Sequence, residues 1–269
     1  MKVELYTIKT LTNLHVGSGD INFNIIDNQV QKDAISNLPN INSSSLKGAF
    51  REHFSQRGKS FVNYVFGPPN SSNEHQSGAY SFFEAKLLAR PVRSNKKPYV
   101  LASSPEVIEE FLSMLQTLGV VLEEELIKQF QWLASQRLKN EALYFGTLED
   151  MVIEDNAHVK KSDEAITKVQ EFFGEEFLLM CHQDFCELDL PVNARNALEN
   201  GISQNLWYEE VVPSKTLFYF FIAKPNNIDA SDEDNVAKFD RSFEKEEIIQ
   251  IGANKTIGYG VCEITKVGS

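Results

Sequence analysis

The stretch LHVGSGDINFNIIDNQVQKD (residues 14–33), resumed as LPNINSSSLKGAFR (residues 38–51), decides how the chain begins to fold. Residues 2–12 alternate apolar and polar side chains and read as a strand that leads into it. Gly17-Ser18-Gly19 then permits a sharp reversal with exposed N–H groups. Ile25-Ile26 reads as a short buried run that holds Asp27 at its end. Ser43, Ser44 and Ser45 read as a helix N-cap, and Leu46, Ala49, Phe50 and Phe54 fall on one face of a helix predicted over 44–57. Lys47 and Arg51, four apart, share another face. Singly, each feature has a plain reading as a turn or a solvated helix face. Together, turn amides, the positive end of a helix and two cations make a concave anion-binding surface beside one carboxylate, an arrangement suited to a nuclease.

Downstream, a polar loop follows Gly67, and residues 79–90 and 99–102 read as strands. Ser103-Ser104-Pro105-Glu106 caps a helix whose buried stripe is Val107, Ile108, Phe111, Leu112 and Leu115. Residues 119–178 mix glutamate-rich runs with helical segments at 125–137 and 164–173, and are predicted to be a helical insertion. Strands are predicted over 188–195 and 202–212, bridged by residues 196–201 with the turn dipeptide Asn200-Gly201, which makes a long hairpin. The apolar run LFYFFIA (residues 217–223) is the best candidate for a central strand. A short helix near 237–248 and a closing strand pair complete the chain. The order β-α-β-β-α, followed by one more strand, predicts an α+β, ferredoxin-like (RRM-like) core.

Composition constrains partners. The formal net charge is −12, a field that repels a polyanion at long range and excludes a general duplex binder. Its distribution is uneven. Residues 101–127 carry six glutamates and no Lys or Arg, whereas 43–59 carry Lys47, Arg51, Arg57 and Lys59 against Glu52 alone. A nucleic-acid face is therefore expected to be local. No apolar run is long enough to cross a bilayer, and the strand-like start and three unpatterned cysteines predict a cytoplasmic protein with reduced thiols. Cys181-His182 with Cys186 completes no zinc-site spacing. Lys255-Thr256 lacks the glycines of a P-loop, although the 252–260 loop retains enough glycine to cradle a phosphodiester.

LHVGSG, IDNQVQKD and SSSLKGAFR resemble the amino-terminal signature of the RAMP superfamily of CRISPR proteins, most specifically the repeated backbone subunit of the type III-B (Cmr) effector complex. Phe66-Gly67, the block from Phe83 to Ser94, LWYEEVVP (residues 206–213) and the loop from Ile251 to Gly260 are similar to its later blocks. The resemblance implies a single RAMP domain, with a core at about 1–118 and 213–269, an insertion at about 119–178 and a β-hairpin thumb at about 184–212. It implies binding to CRISPR guide RNA and single-stranded target RNA, assembly with copies of itself in a filament and with other Cmr subunits, and cleavage of the target at regular intervals. Asp27 corresponds to the residue on which that cleavage depends, and His15 and Glu210 to positions near the reacting phosphate. A lone carboxylate suits attack by the RNA's own 2′-OH, assisted by magnesium or manganese. RNA contacts are expected from Ser44, Ser45, Lys47, Arg51, Arg195, Lys255, Thr256, Gly258 and Gly260, with Ala197 and Leu198 as a wedge at the hairpin tip. A non-catalytic RNA-binding RAMP subunit and a guide-processing RAMP endoribonuclease are the alternatives.

Overall fold

Eight consecutive residues, Leu217–Lys224, are buried without a break, which requires a strand covered on both faces. In the computed structural model, which describes residues 1–19, 25–69, 77–154 and 157–268, this strand is the axis of a mixed α+β fold. In chain order the elements are β1 (Lys2–Thr10), β2 (Asn40–Ile41), α1 (Ser43–His53), α2 (Lys59–Phe66), β3 (Ser81–Phe82), β4 (Ala85–Val92), β5 (Val100–Ser103) and α3 (Pro105–Leu118). Next come α4 (Glu124–Ser135), β6 (Glu141–Phe145), β7 (Val152–Ile153), β8 (Ala157–Lys161), α5 (Thr167–Phe173), β9 (Phe177–Met180) and α6 (His182–Glu187). The rest is β10 (Val192–Glu199), β11 (Ile202–Glu210), β12 (Leu217–Lys224), α7 (Glu233–Arg241), β13 (Glu247–Gln250) and β14 (Val261–Val267).

Among the described residues, twelve strands form one sheet with the main order β13-β14-β1-β12-β4-β5-β9-β6-β8-β7, while β10 and β11 make a separate two-stranded sheet. Successive side chains of β12 take opposite sides, as strand geometry dictates. Phe220 meets Phe50 of α1, and Tyr219 meets Phe111 of α3. Helices α1 and α3 therefore cover opposite faces of the sheet. The one charge on β12, Lys224, is buried but pairs with Glu4 at 2.5 Å and with Asp240.

Strands β1, β5 and β12 and helix α3 form close to where the sequence puts them. The strand predicted over 79–90 is split into β3 and β4, and that over 188–195 begins only at Val192. The helix predicted near 237–248 is α7, which ends at Arg241 before β13. Ser104 caps α3 by accepting the Val107 N–H, and Val107, Ile108, Phe111 and Leu115 are its buried stripe. Several expectations change. The helix predicted over 44–57 stops at His53, and Phe54–Arg57 tightens into a 3₁₀ turn. Its N-cap is Asn42, whose carbonyl accepts the Leu46 N–H; the serines fill the first turn and no side chain caps the helix. The 119–178 segment is not purely helical, because β6, β7, β8 and β9 extend the large sheet beyond β5. The third strand expected at 99–102 lies outside β4, whereas the strand between β1 and β4 is β12. In the hairpin, the strands run to Glu199 and from Ile202, leaving only Asn200 and Gly201 as the turn, at φ 50° and 80°. Most of the predicted polar loop after Gly67, residues 70–76, lies outside the described residues, as do residues 20–24 beyond the Gly-turn.

Candidate active site

Four separate segments meet at the base of the β10–β11 hairpin. Leu14 and Val212 exchange two backbone hydrogen bonds of 2.8 Å, so the segment after β1 lies against the exit of β11. On its other side, Gly17 bridges Val30, the Ser18 N–H donates to Gln29 O at 3.2 Å and the Gln31 N–H to Val16 O at 2.8 Å. The Gly-turn amide of Ser18 is thus used within the protein, contrary to the expectation of exposed donors. Residue 28 then runs beside β11: the Asn28 N–H donates to Tyr208 O (3.1 Å) and the Glu210 N–H to Asn28 O (2.9 Å).

Asp27 is held by this arrangement rather than by a buried Ile-Ile run, since Ile25 is 87% exposed. Its Oδ2 accepts the Tyr208 N–H at 2.8 Å, and the carboxylate faces solvent. The other two expected reaction-centre residues lie alongside. The imidazole of His15 is buried with Nδ1 2.7 Å from the Glu210 carbonyl. Because a carbonyl only accepts, it is Nδ1 that carries a proton toward Glu210 O. The Glu210 carboxylate is buried and occupied on both oxygens, by the Val30 N–H at 3.1 Å and by Lys32 Nζ at 2.9 Å.

Glu209 points the other way, as the alternation of β11 requires. Its Oε1 accepts from Arg195 Nη1 at 3.0 Å and from Asn254 Nδ2 at 2.9 Å. The Arg195 guanidinium also lies 5.5 Å from the Trp207 ring centroid and 5.9 Å from that of Tyr259. Asn193 donates to the Tyr259 hydroxyl at 3.0 Å, so the hairpin base is joined to the glycine-rich loop. That loop is in turn fixed to the His15 segment. The Ala253 N–H donates to His15 O at 2.9 Å and the Gly260 N–H to Asn13 O at 2.8 Å. The two buried glutamates thus each face a cation, which offsets the cost of burying charge and leaves Asp27 as the exposed carboxylate of the cluster.

The expected RNA contacts divide into two groups. Lys255, Thr256 and Gly258 are exposed around a 3₁₀ turn of the glycine-rich loop, while Gly260 packs beneath it. Ser44 and Ser45 are exposed at the start of α1, next to the Asp27 segment, since the Asn42 N–H donates to Gln31 Oε1 at 3.2 Å. Lys47 is half-buried, and Arg51 already donates to Gly67 O at 2.5 Å. Arg195 is committed to Glu209. Leu198 is 65% exposed, but within β10 rather than in the turn. Sequence reasoning missed Lys32, Glu209 and Asn254. The available signal was the adjacent glutamates of β11, which point to opposite faces and, once buried, need separate partners.

Residues 7–263 match the RAMP superfamily. A curated relative from Pyrococcus furiosus, "CRISPR system Cmr endoribonuclease Cmr4", is 30% identical, with 98% of this chain and 96% of that protein covered. Among solved structures, a type III-B Cmr-beta complex bound to cognate target RNA contains a chain similar at TM-score 0.80 and 21% identity, covering 99% of this chain and 97% of that one. The crystal structure of oligomeric Cmr4 from Pyrococcus furiosus is similar at TM-score 0.71 and 24% identity, with both chains fully covered. At these identities the two structures speak for the fold.

Proposed function

The chain belongs to the RAMP superfamily, and from that premise we propose that it is the backbone subunit of a type III-B CRISPR ribonucleoprotein, an endoribonuclease directed by guide RNA. The observation that carries this reading is the convergence of Asp27, His15 and Glu210 at the hairpin base, in a chain 30% identical to a named Cmr endoribonuclease. Its partners are guide RNA, complementary single-stranded target RNA, further copies of itself and other Cmr subunits, and it works in the cytoplasm. The fold supports a ferredoxin-like core made of β1, α1, β4, β12, α7 and β14, because those strands stand in the antiparallel order β14-β1-β12-β4. In this reading the chain is one RAMP domain, the segment from β5 to α6 is an excursion from its core, and β10–β11 is a thumb.

In the proposed reaction the target's 2′-oxygen loses its proton and attacks the adjacent phosphorus to form a 2′,3′-cyclic phosphate, while the P–O5′ bond breaks and the leaving 5′-oxygen takes a proton from water. Asp27 is the group that meets the RNA, since its carboxylate alone of the three faces solvent. It accepts the 2′-OH proton directly or helps to hold a divalent ion. His15 and Glu210 act by fixing β11 and the Asp27 segment. Among the described residues no three His, Cys, Asp or Glu side chains could together hold a metal. A single solvent-facing carboxylate such as Asp27 would suit magnesium or manganese in the mode where one or two carboxylates share the ion with substrate phosphates and water. When bound, such an ion would polarise the phosphate and stabilise the charge that develops on it. Sequence selection comes from base pairing with the guide.

The test is Asp27→Asn in a complex reconstituted with guide RNA and partner subunits. Labelled target should remain uncut while its binding stays within about three-fold, the pattern of a group that acts in the transition state. Cleavage at the wild-type rate would overturn the assignment.

A further inference from the structure

Lys32 lies five residues after Asp27 on the segment that runs beside β11. Its ammonium donates to Glu210 Oε1 at 2.9 Å; the Lys32 side chain is 31% exposed and that of Glu210 only 6%. Through its other oxygen Glu210 accepts the Val30 N–H at 3.1 Å. One buried carboxylate therefore fastens residues 30 and 32 to the strand whose Tyr208 N–H grips Asp27. His15 holds the same residue from behind, by its bond to the Glu210 carbonyl.

Without Lys32, Glu210 would be a buried carboxylate with one backbone donor and no hydrogen-bonded cation, since Arg90 acts on it only through space and spends its Nη1 and Nη2 donors on Leu188 O and Asp189 O. Such a group is costly, and relieves the cost by drawing in water or moving toward solvent. Either movement releases Val30 and shifts the Asp27 segment against β11. In-line attack tolerates little such error, because a displacement of about 1 Å can cost on the order of 100-fold in rate.

We propose that Lys32 is a positioning residue for RNA cleavage, acting through Glu210 to hold the Asp27 carboxylate at the attack geometry without itself touching the RNA. This rests on the reading of Asp27 as the group that meets the RNA.

The experiment uses the complex assembled on guide RNA and compares single-turnover cleavage and target affinity for wild type, Lys32→Met, Lys32→Arg, Glu210→Gln, the Lys32→Met/Glu210→Gln double variant and Asp27→Asn. Lys32→Met should slow cleavage by about 30- to 100-fold while target affinity stays within about two-fold. Glu210→Gln should fall by a similar factor, and the double variant no further than the slower single one, because both changes undo the same contact. Lys32→Arg, which restores the charge and the donor, should recover to within about three-fold of wild type. If Lys32→Met does not assemble, Glu210→Gln carries the same comparison. A wild-type rate in either single variant, or losses that multiply in the double variant, overturns the proposal. So does weakened target binding with a smaller salt slope, which would make Lys32 a phosphate contact. Full cleavage by Asp27→Asn overturns the underlying reading as well, and that arm separates the two failures.

Discussion

Gly252 is where the glycine-rich loop comes closest to the His15 segment, and replacing it by Ala should damage the site from a distance. At Gly252 φ is +79°, and an added Cβ would lie 2.4 Å from His15 O and 3.0 Å from His15 C. Both are backbone atoms, which cannot swing aside as the end of a side chain does. The left-handed backbone costs a non-glycine residue about 1–2 kcal/mol. Relieving the clash also stretches the Ala253 N–H to His15 O bond, now 2.9 Å, worth about 1 kcal/mol. The total is about 2–3 kcal/mol, or roughly 4–12 °C in Tm for a chain of this size. Gly258 provides the internal control. Its φ is +82°, but nothing lies within 4 Å of an added Cβ, so Gly258→Ala should cost only the backbone share, roughly 2–8 °C. Scanning calorimetry on the two variants measures the difference, and target cleavage should fall further in Gly252→Ala because His15 is displaced with its carbonyl. Equal Tm shifts for the two variants would refute the argument that close approach, and not conformation alone, requires glycine at 252.

Two other predictions rest on charge. Burial pushes the Glu4 carboxyl up, but hydrogen bonds and charge from Lys224, with Lys266 and Tyr6, outweigh burial and hold it at about 2, against an ordinary 4.5. A carboxyl lowered in the folded state contributes stability above its unfolded value and loses it as pH falls through the folded one. Glu4→Gln should therefore be less stable by about 2–3 kcal/mol at neutral pH, and urea titrations should show that gap closing between about pH 5 and pH 2. Lys47→Ala should weaken guide binding equally for all guide sequences and lower the salt slope by about one, as filter binding across a salt series would show. Arg51→Ala should in addition lower Tm, because Gly67 O loses its donor, whereas Lys47→Ala should not.

What could be read from the sequence follows the range of the interactions involved. The LFYFFIA run identified β12 because burial on both faces leaves no polar position, and the Ser104 cap of α3 is contained within four residues. Strands β6 and β8 escaped notice because each has five residues and their pairing is distant in sequence: Phe145 pairs with Phe177, and Tyr144 with Lys161. The grip on Asp27 could not be read locally, since its donor, Tyr208, is 181 residues away. His15 and Glu210 came from family resemblance, and nothing in their spacing links a histidine after β1 to a glutamate of β11. Lys32 went unremarked because its partner is 178 residues distant.

Part of the net −12 is set apart from the proposed RNA face on the α1 side of the sheet. Glu106, Glu109 and Glu110 are exposed on α3, and Phe111 beside them packs on Tyr219. Lys47 and Arg51 sit on α1, whose Phe50 packs on Phe220, the next residue of the same strand and therefore on the opposite face. The axes of α1 and α3 stand two layer spacings apart, one on each side of the sheet, or about 20 Å at roughly 10 Å per spacing. That distance is more than two Debye lengths at about 8 Å each, so the α3 glutamates are largely screened from the α1 surface. Near the site the acid count is lowered again, because Glu209 and Glu210 are buried against Arg195 and Lys32. An approaching phosphate chain therefore meets Asp27 with its two neighbouring glutamates paired and the α3 glutamates screened, while the exposed acids Glu233 and Asp234 of α7, whose Phe239 packs on Phe54 at the end of α1, remain on the α1 side.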